Sequence, residues 1–343
     1  MKIIGSIDHS KATGPYSIPK QVLSSIPLEI STILVEIFNL SFQTGKFISV
    51  LKQVKVVPVF KNKDSPYESG TYRPISLLSN VDKIMEKLVH KRMVNFLENN
   101  KLLYNRQFGF RSKHSTVHGL TTITEDLKRS IDKGKLTCGV FIDLQKAFDT
   151  VDLDILLKKL QFYGFRGLTN DWFSSYLLGR KQFVSLSGET SSYKNIRHGV
   201  PQGSVLGPIL FLIYINDLGR AIIYSKLYNF ADDTAILYSD HNPKRLKKRI
   251  NIDLKLLVQW LKANRIQLNV AKTEVVLFKN RSKRMDYNIK IKLDGKLMRF
   301  SKCTKYLGLL IDENLSFYNH IENVISKLRK ANAALCIDQK PSR

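Results

Sequence analysis

The sequence predicts an α+β fold, in which helices pack on a sheet whose central strands are antiparallel. Three observations support this prediction. Apolar residues recur at helical spacing in the first third of the chain and again near its end. From Leu136 onward, strand patterns alternate with helical patterns. Two strand patterns turn back on themselves as hairpins, one around "FVSLSGE" and one around Asp232 and Asp233.

The first third of the chain begins with a turn-rich segment and then favours helices. "KATGPYSIPKQVL" contains the turn formers glycine and proline, and Ile30, Ile33, Leu34 and Ile37 then share one helical face. "QVKVVPVFK" predicts a strand, and "KDSPYESGTYRPIS" predicts a basic loop interrupted by proline and glycine. Helical spacing returns in two groups of apolar residues: Val81, Ile84, Met85 and Leu88, then Val117, Leu120, Leu127 and Ile131.

The rest of the chain supplies the sheet. Val140 to Ile142 is an apolar strand that ends at Asp143, and a helical pattern follows it through Val151, Ile155, Leu156 and Leu160. The elements predicted after these are a buried helix after Pro208, the hairpin of the two adjacent aspartates, a helix over Asn251 to Asn264, strands over Val275 to Leu310, and a last helix over Ile321 to Leu335.

Composition restricts the classes of function. The 343 residues are enough for two or three subdomains with a substantial core. A net charge of +26 predicts a polyanionic partner, and nucleic acid fits better than an anionic membrane. The longest apolar run, Ile209 to Ile215, is far below the roughly 20 residues that cross a bilayer, so no membrane partner is expected. Widely spaced cysteines, no zinc spacing and no signal-peptide pattern predict an intracellular protein.

Basic residues are concentrated late in the chain. Lys279 to Lys305 contains ten Lys or Arg and two Asp. Such an excess fits a track for a phosphate backbone, although some of these residues are expected on a solvated strand face. "KRLKKR", at 244–249, favours an exposed helix start over a nuclear-import patch.

Asp232 and Asp233 are adjacent carboxylates with apolar and aromatic residues on both sides, in "KLYNFADDTAILYSD". Neighbouring like charges repel, and apolar surroundings raise the cost of ionising them. A nearby cation would relieve both effects, and hard oxygen ligands suit Mg²⁺. Taken alone, this stretch is explained equally well by a solvated turn, because turns often carry Asp.

A second carboxylate shifts that balance. Asp143 ends an apolar strand, 89 positions before Asp232, and can point into a cleft. Three carboxylates from two segments can hold two Mg²⁺ ions about 3.5–4 Å apart, as in polymerases that catalyse in-line phosphoryl transfer. Asp149 and Asp152 are competing candidates, but the helix dipole explains charges at a helix start more simply.

Ordered motifs over nearly the whole chain resemble the reverse transcriptase domain of non-LTR retrotransposons, the LINE-type, jockey-like elements. In chain order they are "YRPISLLSN", "NRQFGFR", "FIDLQKAFDTVD", "GVPQGSVLGPILFLIYINDL", "FADDTAILY", "LNVAKTEVVLF" and "YLGLLID". "GVPQGSVLGP" followed by "FADD" is the specific part. The resemblance implies a right-hand polymerase with fingers over 1–135, a palm over 136–300 with a fingers insertion near 160–200, and a primer-grip hairpin with a partial thumb over 301–343.

The resemblance implies an RNA-directed DNA polymerase, a nucleotidyltransferase that uses two Mg²⁺ ions, with Mn²⁺ as a substitute. Its partners would be an RNA template, a DNA primer, their RNA–DNA hybrid and dNTPs. Asp143, Asp232 and Asp233 match the metal-binding carboxylates, and the peptide carbonyl of Leu144 matches a further metal ligand. Lys272 matches a lysine that protonates departing pyrophosphate, with a surface lysine as the alternative.

Five residues are assigned to the nucleotide by the same resemblance. Phe148 matches an aromatic residue that excludes a 2′-hydroxyl, although helical spacing alone favours a core residue. Arg73 and, more weakly, Lys61 match fingers residues that grip the triphosphate, with solvated side chains as the alternative. Gln202 and Gly203 lie in a tight turn that underlies template and nucleotide in the family, where glycine permits close backbone approach. The alternative is that this turn only marks the N-terminus of the following helix.

The chain departs from the family pattern in places. Tyr16 and Ser17 replace the Asp-Gly that usually follows "KATGP", so that turn loses its glycine. A full-length element would carry an upstream endonuclease, and the sequence shows no such segment and only a short thumb. The chain is therefore expected to be the polymerase segment of a larger element, and nuclear if that element is eukaryotic.

Three other hypotheses remain at this point. The chain could be a catalytically inactive, nucleic-acid-binding relic, which the changed turn favours and the intact carboxylates oppose. It could be a group II intron maturase-like protein, although neither an X domain nor an HNH nuclease is visible. An RNA-dependent RNA polymerase shares the carboxylate chemistry, but Phe148 argues against it because such an enzyme should tolerate a 2′-hydroxyl.

Overall fold

The fold is known from a computed structural model that describes residues 2–5, 12–61, 65–186, 188–279 and 289–338. The chain forms two compact units, each built from segments that are distant in sequence. Unit 1 comprises Met1–Tyr104, Lys146–Asp217 and Asn264–Ile266, and unit 2 comprises Asn105–Gln145, Leu218–Ala263 and Gln267–Arg343. The fingers, palm and thumb boundaries at 135 and 300 remain a prediction.

The helices and strands alternate along the chain. The α-helices are α1 (Lys2–Gly5), α2 (Lys20–Ser25), α3 (Pro27–Thr44), α4 (Asn80–Asn99), α5 (Thr116–Asp132), α6 (Leu153–Phe162), α7 (Leu168–Leu177), α8 (Gly207–Ile215), α9 (Leu218–Ala221), α10 (Pro243–Ala263) and α11 (Tyr318–Asp338). The strands are β1 (Gln53–Phe60), β2 (Tyr72–Leu77), β3 (Leu136–Ile142), β4 (Lys181–Leu186), β5 (Glu189–Thr190), β6 (Lys194–Asn195), β7 (Lys226–Phe230), β8 (Asp233–Asp240), β9 (Glu274–Phe278), β10 (Lys292–Leu293), β11 (Lys296–Leu297), β12 (Phe300–Ser301), β13 (Cys303–Tyr306) and β14 (Leu309–Asp312).

Unit 1 contains a sheet in the order β2-β1-β4-β5, with β6 also paired to β4. β1 and β2 form an antiparallel hairpin, whereas β1 and β4 run parallel. Every residue of helix α8 except Pro208 is buried, as the run of apolar residues after Pro208 predicts. Gly207 and Pro208 begin this helix, and proline is tolerated there because the first helical amides have no intrahelical partner.

Unit 2 is built on a sheet in the order β12-β9-β3-β8-β7. β3 pairs antiparallel with β8 and β9, and β7 pairs antiparallel with β8, so the predicted antiparallel centre is confirmed. Every residue of β3 is buried, which explains why apolar residues follow one another at Val140, Phe141 and Ile142 instead of alternating with polar residues. Ile123 and Leu127 of α5 pack on this sheet together with Phe141 and Phe278.

Two predicted helix starts are wrong. The helical pattern through Val151 begins only at Leu153, because Asp152 caps α6 by accepting the Ile155 amide at 3.0 Å. The helix predicted from Asn251 begins at Pro243, so the charge run lies within α10. Lys and Arg are good helix formers, and the Asn242 side chain accepts the first amides of this helix.

The altered turn near the N-terminus still forms. Tyr16 adopts a φ of 52°, a left-handed conformation that is uncommon for residues other than glycine. Part of the basic segment predicted between Lys279 and Lys305, namely residues 280–288, lies outside the described residues. In the portions of the chain that the structure describes, every helix is too short or too polar to cross a bilayer.

Candidate functional site

The two adjacent aspartates lie at the tip of the β7–β8 hairpin, as the sequence predicts. Phe230 pairs with Asp233, so Ala231 and Asp232 form a two-residue turn. Ala231 has a φ of 56°, and tight hairpins need a positive φ at this position because only then does the turn match the twist of the strands. The hairpin therefore presents Asp232 at its tip and Asp233 at the first position of β8.

The strand register brings Asp143 to the same end of the sheet. Ile142 pairs with Thr234 in the antiparallel β3–β8 ladder, so the next position, Asp143, lies opposite Asp233. Opposed residues of such a ladder have Cα atoms about 4.5–5.5 Å apart. A second segment also holds the backbone of Asp143, because the Asp143 carbonyl accepts the Asn269 amide at 2.9 Å.

The surroundings of Asp232 and Asp233 make both carboxylates harder to ionise. Burial, followed by the charges of Asp232 and Asp143, raises the pKa of Asp233 to about 6. Burial and the charge of Asp143 also raise the pKa of Asp232, although a backbone hydrogen bond opposes the shift. The Asp233 side chain still reaches solvent, so protein atoms surround its carboxyl group without closing it off. Three carboxylates in this setting favour either a shared proton or a bound cation.

These carboxylates suit a hard divalent cation that takes its remaining ligands from a substrate. Carboxylate oxygens are the ligands that Mg²⁺ prefers. Within the described ranges, no group of three or more His, Cys, Asp or Glu side chains is placed so that it could hold a metal ion. That finding agrees with the habit of Mg²⁺ in nucleotide enzymes, where one or two carboxylates bind it and phosphate oxygens supply other ligands.

Lys272 and Leu144 lie in the same unit as the carboxylates. Lys272 is exposed in the turn that starts at Asn269, and Asn269 and Thr273 of this turn bond the backbone of Asp143. Leu144 is buried and forms an isolated bridge with Leu268. The structure thus brings the turn that carries Lys272 to the backbone of Asp143.

The glycine-rich segment before α8 is a tight loop in unit 1. The amides of Gly199 and Val200 donate to the carbonyls of Val151 and Phe148 at 2.8 and 3.0 Å. The Gln202 carbonyl accepts the Ser76 amide of β2 at 2.7 Å. These backbone bonds attach the loop to β2 and to the segment that follows the first carboxylate.

Gly203 is required by two independent features of that loop. Its φ is 113°, a conformation that residues with a Cβ rarely adopt, and an added Cβ would stand 2.6 Å from the Ser76 carbonyl oxygen. The side chain of Gln202 donates to the Asp149 carboxylate at 2.7 Å. Asp149 therefore acts as a partner of the loop and not as a helix-start charge.

Phe148 is half-buried, and its ring stacks on Phe211 of α8 with centroids 4.3 Å apart and planes at 24°. Arg73 is exposed on β2, where it pairs with Val59 of β1. The Lys61 ammonium donates to the Gly70 carbonyl at 2.8 Å, which ties it to its own hairpin. A cavity of about 460 Å³ is lined by several of these elements, including Pro74, Asp149, Arg197, Gly199 and Gln202.

Sequence reasoning missed Glu86, which supports the loop from below. It is fully buried, and its carboxylate accepts the Tyr176 hydroxyl and the amides of Val205 and Leu206. Burial raises the pKa of Glu86, and these hydrogen bonds oppose that shift. Its only signal in the sequence is a charged residue on the apolar face of a predicted helix, and that signal identifies no partner.

Gln107 was missed as well, although it lies in the quoted motif "NRQFGFR". It is 3% exposed, and its side chain accepts the Ala231 amide in the turn that carries Asp232. The two residues are 124 positions apart, so no local pattern could have revealed the contact.

A sequence model of one family, described as reverse transcriptase (RNA-dependent DNA polymerase), matches residues 60–311. The chain belongs to this family. The match covers well over half of the chain and includes all three carboxylates, so the predicted resemblance is confirmed.

Two relatives of this reverse transcriptase chain are mobile-element proteins. It is 30% identical over 334 residues to the RNA-directed DNA polymerase from mobile element jockey of Drosophila melanogaster, covering 95% of this chain and 36% of that protein. It is 29% identical over 335 residues to the probable RNA-directed DNA polymerase from transposon BS of the same species, covering 94% and 36%. The chain thus spans little more than a third of the length of these relatives.

One solved structure supports the fold of the reverse transcriptase chain. Apo telomerase from Candida tropicalis, truncated from its C-terminal domain, matches with a TM-score of 0.51 and 14% identity, covering 79% of this chain and 55% of that one. The predicted right-hand polymerase fold is therefore supported by structure as well as by sequence. A putative COX1/OXI3 intron 2 protein of Saccharomyces cerevisiae matches only 48% of the chain at 29% identity, so the intron-type alternative is not favoured.

Proposed function

We propose that this chain is the polymerase segment of a non-LTR retrotransposon protein and copies RNA into DNA from a primer 3′-hydroxyl. The observation that carries the proposal is the meeting of Asp143 with Asp232 and Asp233 at one end of the β3–β8 ladder, where the pKa of Asp233 is raised to about 6. Polymerases that transfer phosphoryl groups with two metal ions need carboxylates close together to hold those ions. The proposed substrates are dNTPs and an RNA template paired with a DNA primer.

Asp143, Asp232 and Asp233 would hold two Mg²⁺ or Mn²⁺ ions, together with the carbonyl of Leu144. When bound, such ions lower the pKa of an attacking hydroxyl and neutralise charge on a triphosphate. The protein contributes the fixed backbone of Asp143, held by Asn269, and the rigid two-residue turn before Asp233. Rigid placement matters because a ligand that is already oriented loses no conformational freedom when the substrate arrives.

The residues of unit 1 are proposed to bind and select the nucleotide. Arg73 would contact triphosphate oxygens through its planar guanidinium, with Lys61 in a lesser role because its ammonium already bonds the Gly70 carbonyl. The Phe148 ring, held by Phe211, would exclude a 2′-hydroxyl. Gln202 and Gly203 would form the surface that a template or nucleotide contacts, and Lys272 of unit 2 would give a proton to pyrophosphate.

A basic cavity of unit 1 supports a nucleic-acid partner. It measures about 480 Å³ and is lined by Lys181, Tyr193, Lys194, Asn195 and Arg197. The Tyr193 ring packs edge-on against Phe183, with centroids 5.1 Å apart. Exposed cations beside an aromatic ring suit a phosphate backbone with its bases. Because the relatives come from eukaryotic mobile elements, we propose that the protein acts in the nucleus, with an endonuclease elsewhere in the longer protein.

Primer extension tests the proposal directly. The purified chain is given poly(rA)/oligo(dT), Mg²⁺ and dTTP, and in parallel the same primer on poly(dA), or UTP in place of dTTP. A reverse transcriptase should extend the primer on RNA with dTTP and discriminate against UTP. Tight hybrid binding without extension would support the inactive relic, and preferential use of UTP would support an RNA polymerase.

A further inference from the structure

One side-chain oxygen, that of Gln107, holds the turn that carries Asp232. Gln107 Oε1 accepts the Gly109 amide at 2.9 Å and the Ala231 amide at 3.0 Å. Ala231 immediately precedes Asp232 and has the positive φ that the turn requires. Gln107 is 3% exposed, so water cannot easily replace this acceptor if the side chain is removed.

The backbone around Gln107 is itself fixed to β7. The Asn229 amide donates to the Arg106 carbonyl at 2.9 Å, and the Phe108 amide donates to the Asn229 carbonyl at 2.8 Å. The Arg106 guanidinium bonds the Asp126 carboxylate at 2.8 Å, which also accepts from Lys226 at 2.8 Å. Gln107 is therefore anchored on both sides and can impose a position on the turn.

The backbone of Gly109 lies against the turn at Ala231. A Cβ added at Gly109 would stand 2.5 Å from the Ala231 nitrogen, closer than real Cβ contacts come. Phe108, between Gln107 and Gly109, is buried in the core of unit 2 with Tyr228. The segment thus reaches the turn by close backbone approach, and the Gln107 oxygen lies where it bonds both amides.

Loss of this oxygen would act mainly on Asp232. Two buried amides would lose their acceptor, and the one in the two-residue turn can regain a partner only if the Ala231 peptide rotates towards water. Asp232 follows that peptide directly, and Asp233 pairs with Phe230 on the far side of the same turn. Rotation would therefore move the Asp232 carboxylate relative to Asp143.

We propose that Gln107 is a positioning residue of the carboxylate turn, and that it sets where Asp232 and Asp233 meet a divalent cation. The role assigned to the cation rests on the proposed function, whereas the hold on the turn does not. Three variants separate the possibilities. Gln107→Met keeps the length but removes the acceptor, Gln107→Glu keeps an acceptor, and Gln259→Met makes the same change at an exposed position of α10.

Amide hydrogen exchange tests the hold on the turn without any activity. In Gln107→Met, the amides of residues 230–233 should exchange at least about fivefold faster than in the wild type, because the Ala231 amide loses its hydrogen-bond acceptor. Gln107→Glu should retain protection, and Gln259→Met should match the wild type. Unchanged protection in Gln107→Met, or wild-type amides that exchange at the unfolded rate, would overturn the proposal. Should Gln107→Met fail to fold, loss of protection in Gln107→Glu would overturn it.

Metal binding and kinetics test the consequence. Gln107→Met should weaken Mn²⁺ binding to the nucleotide-free protein, measured by electron paramagnetic resonance, by about 10- to 100-fold, as supporting residues around metal ligands usually do. The Mg²⁺ concentration for half-maximal extension should rise while the KM for dTTP stays constant. The core variant Ile123→Val, which lowers stability alone, should shift neither value. Equal shifts in Ile123→Val would show a merely structural role. If the wild type extends no primer, the polymerase proposal fails, and the exchange experiment still decides the role of Gln107.

Discussion

Replacing Asp233 with Asn should stabilise the metal-free protein at neutral pH. The pKa of Asp233 is raised to about 6 from 3.8, by burial first and then by the charges of Asp232 and Asp143. The folded state thus holds this proton more tightly than the unfolded state does. Stability falls as the pH rises from 3.8 towards 6, and above that range the folded protein carries the full cost of the charge.

The size of this effect follows from the shift. Roughly two pKa units correspond to about 3 kcal/mol at 1.36 kcal/mol per unit. The Asp233 side chain reaches solvent, so screening reduces this figure, and we expect about 1 kcal/mol. Asn has nearly the same shape and no charge. Asp233→Asn should therefore raise the free energy of unfolding by about 1 kcal/mol at pH 7.5 and by almost nothing near pH 4.

Urea unfolding in EDTA, followed by circular dichroism at both pH values, measures the effect. The matched control is Asp132→Asn, at the exposed end of α5, which should leave the urea midpoint unchanged. Adding Mg²⁺ should stabilise the wild type more than Asp233→Asn, because only the wild type keeps all its ligands. A variant that is no more stable than the wild type at pH 7.5, or that gains equally at pH 4, would refute this account of the carboxylates.

Three further predictions concern unit 1. Phe148→Val should raise the ratio of UTP to dTTP incorporation in primer extension, and an unchanged ratio would make the ring a packing residue only. The same change should lower the free energy of unfolding by about 1 kcal/mol, because the stack on Phe211 is lost. Gly203→Ala should lower the thermal midpoint by an amount equivalent to about 1–3 kcal/mol, whereas Gly70→Ala, with no atom within 4 Å of the added Cβ, should not. Replacing Lys181, Lys194 and Arg197 together with Gln should reduce the log–log salt slope of hybrid binding by up to about 3, and an unchanged slope would exclude phosphate contacts in this cavity.

The sequence was sufficient to predict the carboxylate hairpin because its signals are local. Apolar and aromatic residues on both sides of the aspartate pair predict two strands with a hairpin turn at or near the pair. The structure shows that the turn has two residues, Ala231 and Asp232. The apolar run before Asp143 predicts a buried strand in the same way. The pairing of the strand before Asp143 with the aspartate hairpin follows from the resemblance to the family, since no local pattern specifies which strands pair.

The supporting residues could not be predicted because their partners are distant in sequence. Glu86 meets the Val205 amide 119 positions away, and Gln107 meets the Ala231 amide 124 positions away. A polar residue in an apolar pattern indicates that a hydrogen-bond partner is needed. Here the partner is a backbone amide, and because almost every residue has one, the sequence does not identify which amide it is. The sequence position of Asp149 predicts a helix-start charge, whereas its partner Gln202 becomes its neighbour only in the folded loop.

The central claim is that the three carboxylates form a catalytic metal site, and Asp232→Asn tests it most directly. Asn keeps the shape of Asp232 and the two-residue turn but removes the charge. Metal-assisted stabilisation contributes several kcal/mol to such reactions, so extension of oligo(dT) on poly(rA) should fall by about a thousandfold. Asp132→Asn serves as the control, and hybrid binding is measured in the same preparations. We expect lost extension with retained binding for Asp232→Asn alone; near-normal extension by Asp232→Asn would contradict a catalytic metal site at these carboxylates.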